Sequence, residues 1–407
     1  MAIKFKKNFN PQAILDEIEK AKIVSDDGRL SFSLTDGYFN SQAALFSMLD
    51  FPDGVKSELD VHQLISSAIN KTAIAGKVTK DSYLRQINEL AVTQKSKAES
   101  VYFLLSSISI DYDLLPFKKI AIDDCEINFV KNFNKKFTSR NSIKIGKYGS
   151  GDDSEYSKVI VTIKSKNIRS AFAKATTSLD FLRSIFCFFA NSQSEIIGDP
   201  YIPINKVMLG PLHTLHNTDG SLATEEFWFE MNYLKISLYR PKNKDIFTKN
   251  VKFFIKKLNK IKYKEVIKNS MISYVRAFDY QDQSDALFKI WGALEKIITP
   301  KSGNDYAKIV SRCAFLFTEP SYHKELLEHL RIRRNEYVHV GEKADDSKKC
   351  CYQVQEYFRA SILFHIKNKF MFETIDQANE FLDLSTDIKT LKRKRILYAN
   401  AIKFRDH

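Results

Sequence analysis

Three arginines, an asparagine, a tyrosine and a histidine crowd ten residues of LRIRRNEYVHVGEK, Leu330–Lys343. Such side chains hold phosphates and move protons near neutral pH. Leu326, Leu327, Leu330, Val338 and the ring of Tyr337 supply apolar positions around them, so the stretch reads as a helix. At about 100° per residue, Arg331, Asn335 and His339 fall within about 80° of one another and form one polar stripe. Arg334, about 140° from His339, reaches the same cleft by curling its long side chain. Gly341 reads as the residue just past the helix, which sets His339 in the last turn. There the negative end of the helix dipole favours imidazolium, suited to a general acid or a phosphate ligand. The same residue types also make an ordinary solvated face with one satisfied histidine, and spacing alone does not separate the two.

Other patterns that carry chemistry are absent or incomplete. His213 and His216 have HxxH spacing in a strand-like context without a third ligand nearby. GSGDD, Gly149–Asp153, reads as a turn and lacks the GK[ST] ending of a phosphate-binding loop. Neither GxSxG nor HExxH occurs. Cys125, Cys187, Cys313, Cys350 and Cys351 show no CxxC spacing, and the vicinal pair reads as core packing, so neither metal nor cofactor is expected.

The elements that must position Arg334 and His339 follow from periodicity. From about Ala13 to Ser109 the spacing is mostly helical, including DSYLRQINELAVTQKSKAESVYFLLSSIS. After Pro116, KKIAIDDCEINFV, SIKIGKY and KVIVTIKS read as strands, SAFAKATTSLDFLRSIFCFFA (Ser170–Ala190) as a core helix, and YIPINKVMLGPLHTL with EEFWFEMNYLKISLY as a further strand pair. From Asn243 onward only helical spacing appears, in a bundle of about five helices. The expected organisation is an α+β sensor or regulatory region over 1–240, divisible into a helical 1–112 and a sheet-bearing 113–240 with a mainly antiparallel sheet and one packed helix, then an all-α bundle over 241–407.

Within that bundle the segment Gln281–Lys369, about a fifth of the chain, resembles the HEPN family and in particular its Apea-like branch. The family's arginine, polar residue, three variable residues and histidine read here as Arg334-Asn335-Glu336-Tyr337-Val338-His339, with glycine close behind. The preceding helix carries the matching Phe288, Trp291, Leu294, Glu295 and Ile297, and KIVSRCAFLF, Lys308–Phe317, stands between. Val340 separates His339 from Gly341, where many Apea-like members have the glycine adjacent. The resemblance implies an all-α HEPN-type bundle and a metal-independent endoribonuclease acting as a homodimer. RNA supplies its own 2′-OH nucleophile, so the protein need provide only proton transfer and charge stabilisation, giving 2′,3′-cyclic phosphate and 5′-OH ends. On this basis His339 moves the proton, Arg334 meets the developing charge and Asn335 orients the histidine or the phosphate. Arg331, Tyr337 and Glu295 support them, Glu295 by holding Arg334. The family's habitual settings imply an anti-phage abortive-infection or toxin–antitoxin effector, met by a phage-derived trigger or a cognate inhibitor. The alternative is a non-catalytic HEPN-type module that binds a nucleotide or RNA, or serves to dimerise.

The charge balance suits a polyanionic partner: the net charge is +14 and the pI about 9.2. Arg240–Lys268 alone holds one Arg and ten Lys against one Asp and one Glu. Lys256, Lys257 and Lys260 there, with Lys392 and Arg393 near the C-terminus, are the expected RNA contacts. The first twenty residues lack a secretory signal core and no apolar run is long enough to span a membrane, so a soluble cytoplasmic protein without membrane contact is expected.

Overall fold

Asn10, Asp60 and Thr79 begin three of the first helices, each side chain accepting from a backbone N–H in the turn that follows. In the computed structural model, which describes residues 2–25, 29–33, 36–52, 58–143, 153–195, 201–299, 306–340, 346–367 and 371–406, these helices are α1 (Pro11–Lys20), α3 (Val61–Ala75) and α4 (Lys80–Lys95). With α2 (Asp36–Met48) they pack around Leu15, Ile18, Leu45, Leu64, Ile69 and Ile87. Two short antiparallel pairs trim this unit: β1 (Lys4–Phe5) with β4 (Leu49–Asp50), and β2 (Lys22–Val24) with β3 (Leu30–Phe32).

Helical spacing was expected to run on to Ser109, and it stops instead at Lys95. Ser100–Ile108 is a strand, β5, and it lies inside the main sheet rather than at an edge. Its inner half is buried on both faces, so VYFLLSSI carries no polar–apolar alternation and cannot be told from a buried helix by period. The six-stranded sheet has the order β10-β9-β5-β8-β7-β6 and is antiparallel throughout, with β6 (Lys119–Ile122), β7 (Cys125–Val130), β8 (Ser157–Ser165), β9 (Leu212–His216) and β10 (Trp228–Phe229). The strand expected at SIKIGKY lies outside the described residues beyond Ile143. Helix α5 (Ile168–Ala190), capped by Asn167, crosses the sheet as expected.

Beyond Asn243 the described residues form eight helices rather than about five: α6 (Lys244–Leu258), α7 (Lys264–Ala277), α8 (Gln283–Ile298), α9 (Tyr306–Phe315), α10 (Pro320–Val340), α11 (Ser347–Lys367), α12 (Ile375–Leu382) and α13 (Ile388–Arg405). The extra breaks fall where backbone caps end a run, at Asn259 and at the Thr374 and Asp387 N-caps. One apolar core runs from Leu104 to Leu382 and includes both the sheet and the bundle, so it passes through the expected 240/241 boundary without a gap. The separate core is that of residues 3–91. Among the described residues no helix is long and apolar enough to cross a membrane.

Candidate functional site

Helix α10 carries the whole Arg331–His339 segment. Its apolar residues Leu327 and Leu330 are fully buried, which turns the Arg334 side toward α8 and α9. The guanidinium of Arg334 lies over two rings, 5.2 Å from the centroid of Phe288 and 5.5 Å from that of Tyr306. One terminal nitrogen, Nη1, donates to Tyr306 Oη at 3.1 Å and to Asn335 Oδ1 at 2.9 Å. The other, Nη2, stands 4.0 Å from Glu295 Oε1, and that same oxygen accepts the indole N–H of Trp291 at 2.8 Å. Phe288, Trp291 and Glu295 from one helix and Arg334 from another therefore meet in one place. Tyr306 completes the seat and has no counterpart in the sequence reading.

The seat fixes the arginine's plane. Two rings restrict its tilt, and two acceptors and a carboxylate restrict its rotation, while the side chain keeps 13% exposure through which an anion can meet it. Arg334 Nε is buried without a partner. Asn335 was expected to serve the histidine or a phosphate, and its carbonyl oxygen faces Arg334. His339 belongs to α10, but its side chain and the whole of Gly341 lie outside the described residues.

The supporting residues are held by carboxylates. Arg331 Nε donates to Glu328 Oε2 at 2.6 Å, one turn back along α10. Tyr337 Oη donates to Asp285 Oδ1 at 2.5 Å, tying α10 to the first turn of α8. That hydrogen bond, with burial behind it, pushes the Tyr337 hydroxyl up to about 12. Arg333 faces the other way, toward Glu336 at 3.3 Å and Asp346 at 3.4 Å.

The basic residues sort by burial. Lys256, Lys257 and Lys260 are exposed at the C-terminal end of α6, whose buried side is Phe247, Val251, Phe254 and Leu258. Phe253 faces outward with them, its ring 5.5 Å from Lys257 Nζ. Lys392 and Arg393 are exposed on α13, which buries no residue. Lys268 is buried and pairs with Asp123, so it is no RNA contact.

Sequence reasoning missed a second polar cluster, inside the protein. Arg183 on α5 is fully buried and meets both oxygens of Asp279 at 2.7 Å, with Asp180 at 3.0 Å. Arg276 joins Asp180 at 2.5 Å to Glu230 at 2.6 Å, and the Glu230 carboxylate accepts from His213 Nε2 at 2.9 Å. His213 Nδ1 in turn lies 2.9 Å from Ser106 Oγ. Serine, histidine and glutamate in sequence resemble a nucleophilic triad. Ser106 is wholly buried, however, so no substrate reaches it, and Glu230 is committed to Arg276. Burial raises the Glu230 carboxyl, but the His213 hydrogen bond and the Arg276 charge outweigh it and hold it well below the usual carboxylate range. The cluster is structural, and its signal in sequence was Asp180 and Arg183 one turn apart inside the buried second half of the helix. His216 likewise has both ring nitrogens occupied, by Gly220 O at 3.0 Å and Thr214 Oγ1 at 2.9 Å. Comparison of the chain with protein-family models, with curated proteins and with solved structures finds no match to any of them.

Proposed function

We propose that this protein is a metal-independent endoribonuclease of HEPN type, acting as a homodimer. The observation that carries the reading is the seat of Arg334. A fork of N–H donors held in a fixed plane by Phe288, Tyr306, Asn335 and Glu295 suits the non-bridging oxygens of a phosphorane, where negative charge grows as the 2′-OH attacks. His339, five residues on, takes the 2′-OH proton or protonates the leaving 5′-oxygen. One chain offers one such histidine, so the second proton transfer falls to the partner copy across a two-fold axis. The products are a 2′,3′-cyclic phosphate and a 5′-OH. Exposed Lys256, Lys257 and Lys260, with Lys392 and Arg393, supply the salt-dependent part of RNA binding. In the cell the reading implies a cytoplasmic anti-phage or toxin–antitoxin effector, restrained until a phage-derived trigger acts or an inhibitor leaves.

The test compares total RNA from cells expressing wild type and His339→Ala, at equal folding and dimerisation. Cyclic-phosphate ends that appear with wild type, persist in EDTA and vanish in the variant are the expected result. Identical RNA from both proteins, during growth and during phage infection alike, sinks the nuclease reading. A second reading has its own observation: Nη1 of Arg334 already serves Tyr306 and Asn335, as in a site built to hold a phosphate without reaction. A binding module of that kind predicts that Arg334→Ala abolishes RNA or nucleotide binding while His339→Ala leaves it unchanged.

A further inference from the structure

His329, Asp346 and Cys350 each bring one ligand atom to a common point, all within 4.8 Å of one another. His329 is exposed on α10, and Cys350 is buried in the first turn of α11. Asp346 stands immediately before that helix, and its carbonyl accepts the Cys350 N–H at 3.0 Å, so the two side chains lie one turn apart on the same face. The two oxygens of Asp346 differ. Oδ2 accepts from Arg333 Nη2 at 3.4 Å, whereas Oδ1 is buried with no hydrogen-bond partner. A buried carboxylate oxygen without a hydrogen-bond partner, beside an imidazole and a thiol, is an acceptor able to take a cation.

We propose that His329, Asp346 and Cys350 bind a divalent transition-metal ion of the zinc class, with a fourth position open to solvent. One nitrogen, one oxygen and one sulfur ligand select a borderline-soft ion over magnesium or calcium, which require oxygen shells. Metal–ligand distances of about 2.0–2.3 Å put the ligands of a tetrahedral site about 3.3–3.8 Å apart, so these atoms close on an ion with side-chain shifts of about an ångström. Binding takes the Cys350 sulfur as thiolate, its proton leaving to solvent. Arg333 acts as the outer partner that fixes the carboxylate, its own charge balanced by Glu336 at 3.3 Å. The ion ties the side of α10 that carries His329 and Arg333 to the head of α11, across residues 341–345. It touches neither Arg334 nor Asn335, so the proposal stands whether or not the chain cuts RNA.

The test is a titration of the full chain with Co²⁺, followed by absorption and then by competition with Zn²⁺. One Co²⁺ per chain with a thiolate-to-cobalt charge-transfer band, displaced by Zn²⁺, is expected. Cys350→Ser should lose that band, and His329→Gln, at an exposed position that does not bear on folding, should weaken binding at least tenfold. Absence of a charge-transfer band at stoichiometric Co²⁺, or equal affinity of wild type and His329→Gln, overturns the site. Should Cys350→Ser fail to fold, His329→Gln decides alone.

Discussion

Replacing Glu295 with glutamine probes the seat of Arg334 by charge alone. The carboxamide keeps the shape of the side chain and its oxygen still accepts the Trp291 indole N–H, now 2.8 Å from Glu295 Oε1. What vanishes is a negative charge 4.0 Å from Arg334 Nη2. In an effective dielectric of about 20, two unit charges at that separation attract by about 4 kcal/mol. The carboxylate is 29% exposed and the arginine 13%, so water screens the pair and about 1 kcal/mol is the realistic share. An incoming phosphate competes with this carboxylate for the same guanidinium. Removing the competitor should therefore tighten RNA binding, about fivefold for about 1 kcal/mol. Glu295→Gln is thus expected to lower the Kd for a labelled single-stranded RNA, measured by fluorescence anisotropy in a His339→Ala background, which the proposed chemistry leaves without cleavage. The gain should shrink as salt rises. Unchanged binding, with the circular dichroism intact, would show that Arg334 does not meet the phosphate and would refute the role assigned to its seat.

Three further outcomes follow from the same coordinates. Asp279→Ala leaves Arg183, fully buried, without its two-oxygen partner and removes the acceptor of Asn205 at 2.7 Å, so urea denaturation should show a loss of about 3–5 kcal/mol, whereas a loss below about 1 kcal/mol would mean that the pair is dispensable. Burial pulls His365 down to about 3, so its neutral form contributes in full above the ordinary value near 6.5 and stability is lost as pH falls from there toward 3; by pH 5.5 the loss is about 1 kcal/mol, which His365→Gln should remove from the pH dependence of unfolding. Replacing Lys256, Lys257 and Lys260 together by alanine should flatten the slope of log affinity against log salt by about 2 if each meets one phosphate of single-stranded RNA, and an unchanged slope would assign RNA to another surface.

How much of this was legible in the sequence depends on whether a residue's neighbours share its helix. The i,i+4 relation of Asn335 and His339 is local and could be read from spacing, whereas the run Phe288, Trp291, Glu295 was picked out by the resemblance to the HEPN family. Tyr306 could not, because its claim on Arg334 arises from the crossing of α9 and α10, which no periodicity within either helix encodes. The same holds for Asp285 and Tyr337, and for Asp346, whose carboxylate comes within 4.8 Å of the His329 ring from the start of the next helix. Strand β5 failed for a different reason. Pairing with β8 on one side and β9 on the other, under α5, buries both of its faces and erases the alternation that marked β8.

The two cores bear on how the N-terminal unit is joined to the body that carries Arg334. The sheet and the bundle share one apolar core, and the buried Arg183–Asp279 pair, with the half-buried Arg276–Glu230 pair beside it, joins α5, α7 and the β10 edge. Separating them would strand those charges in an apolar interior, so sheet and bundle respond as one body. Residues 3–91 have their own core, and polar contacts joining the N-terminal helices to the rest include Asn167 Nδ2 to Glu58 O at 3.1 Å, Arg169 to Asp60 at 3.4 Å, and Lys166 to Lys95 O at 2.7 Å. Between the two lies a cleft of about 520 Å³ lined by Phe46, His62, Arg169, Lys174, Asp123 and Lys268. Lys268 is on α7, which packs along the α8 that carries Phe288, Trp291 and Glu295. The lining of this cleft and the Arg334 seat are thereby joined through two packed helices, α7 and α8, within the shared core.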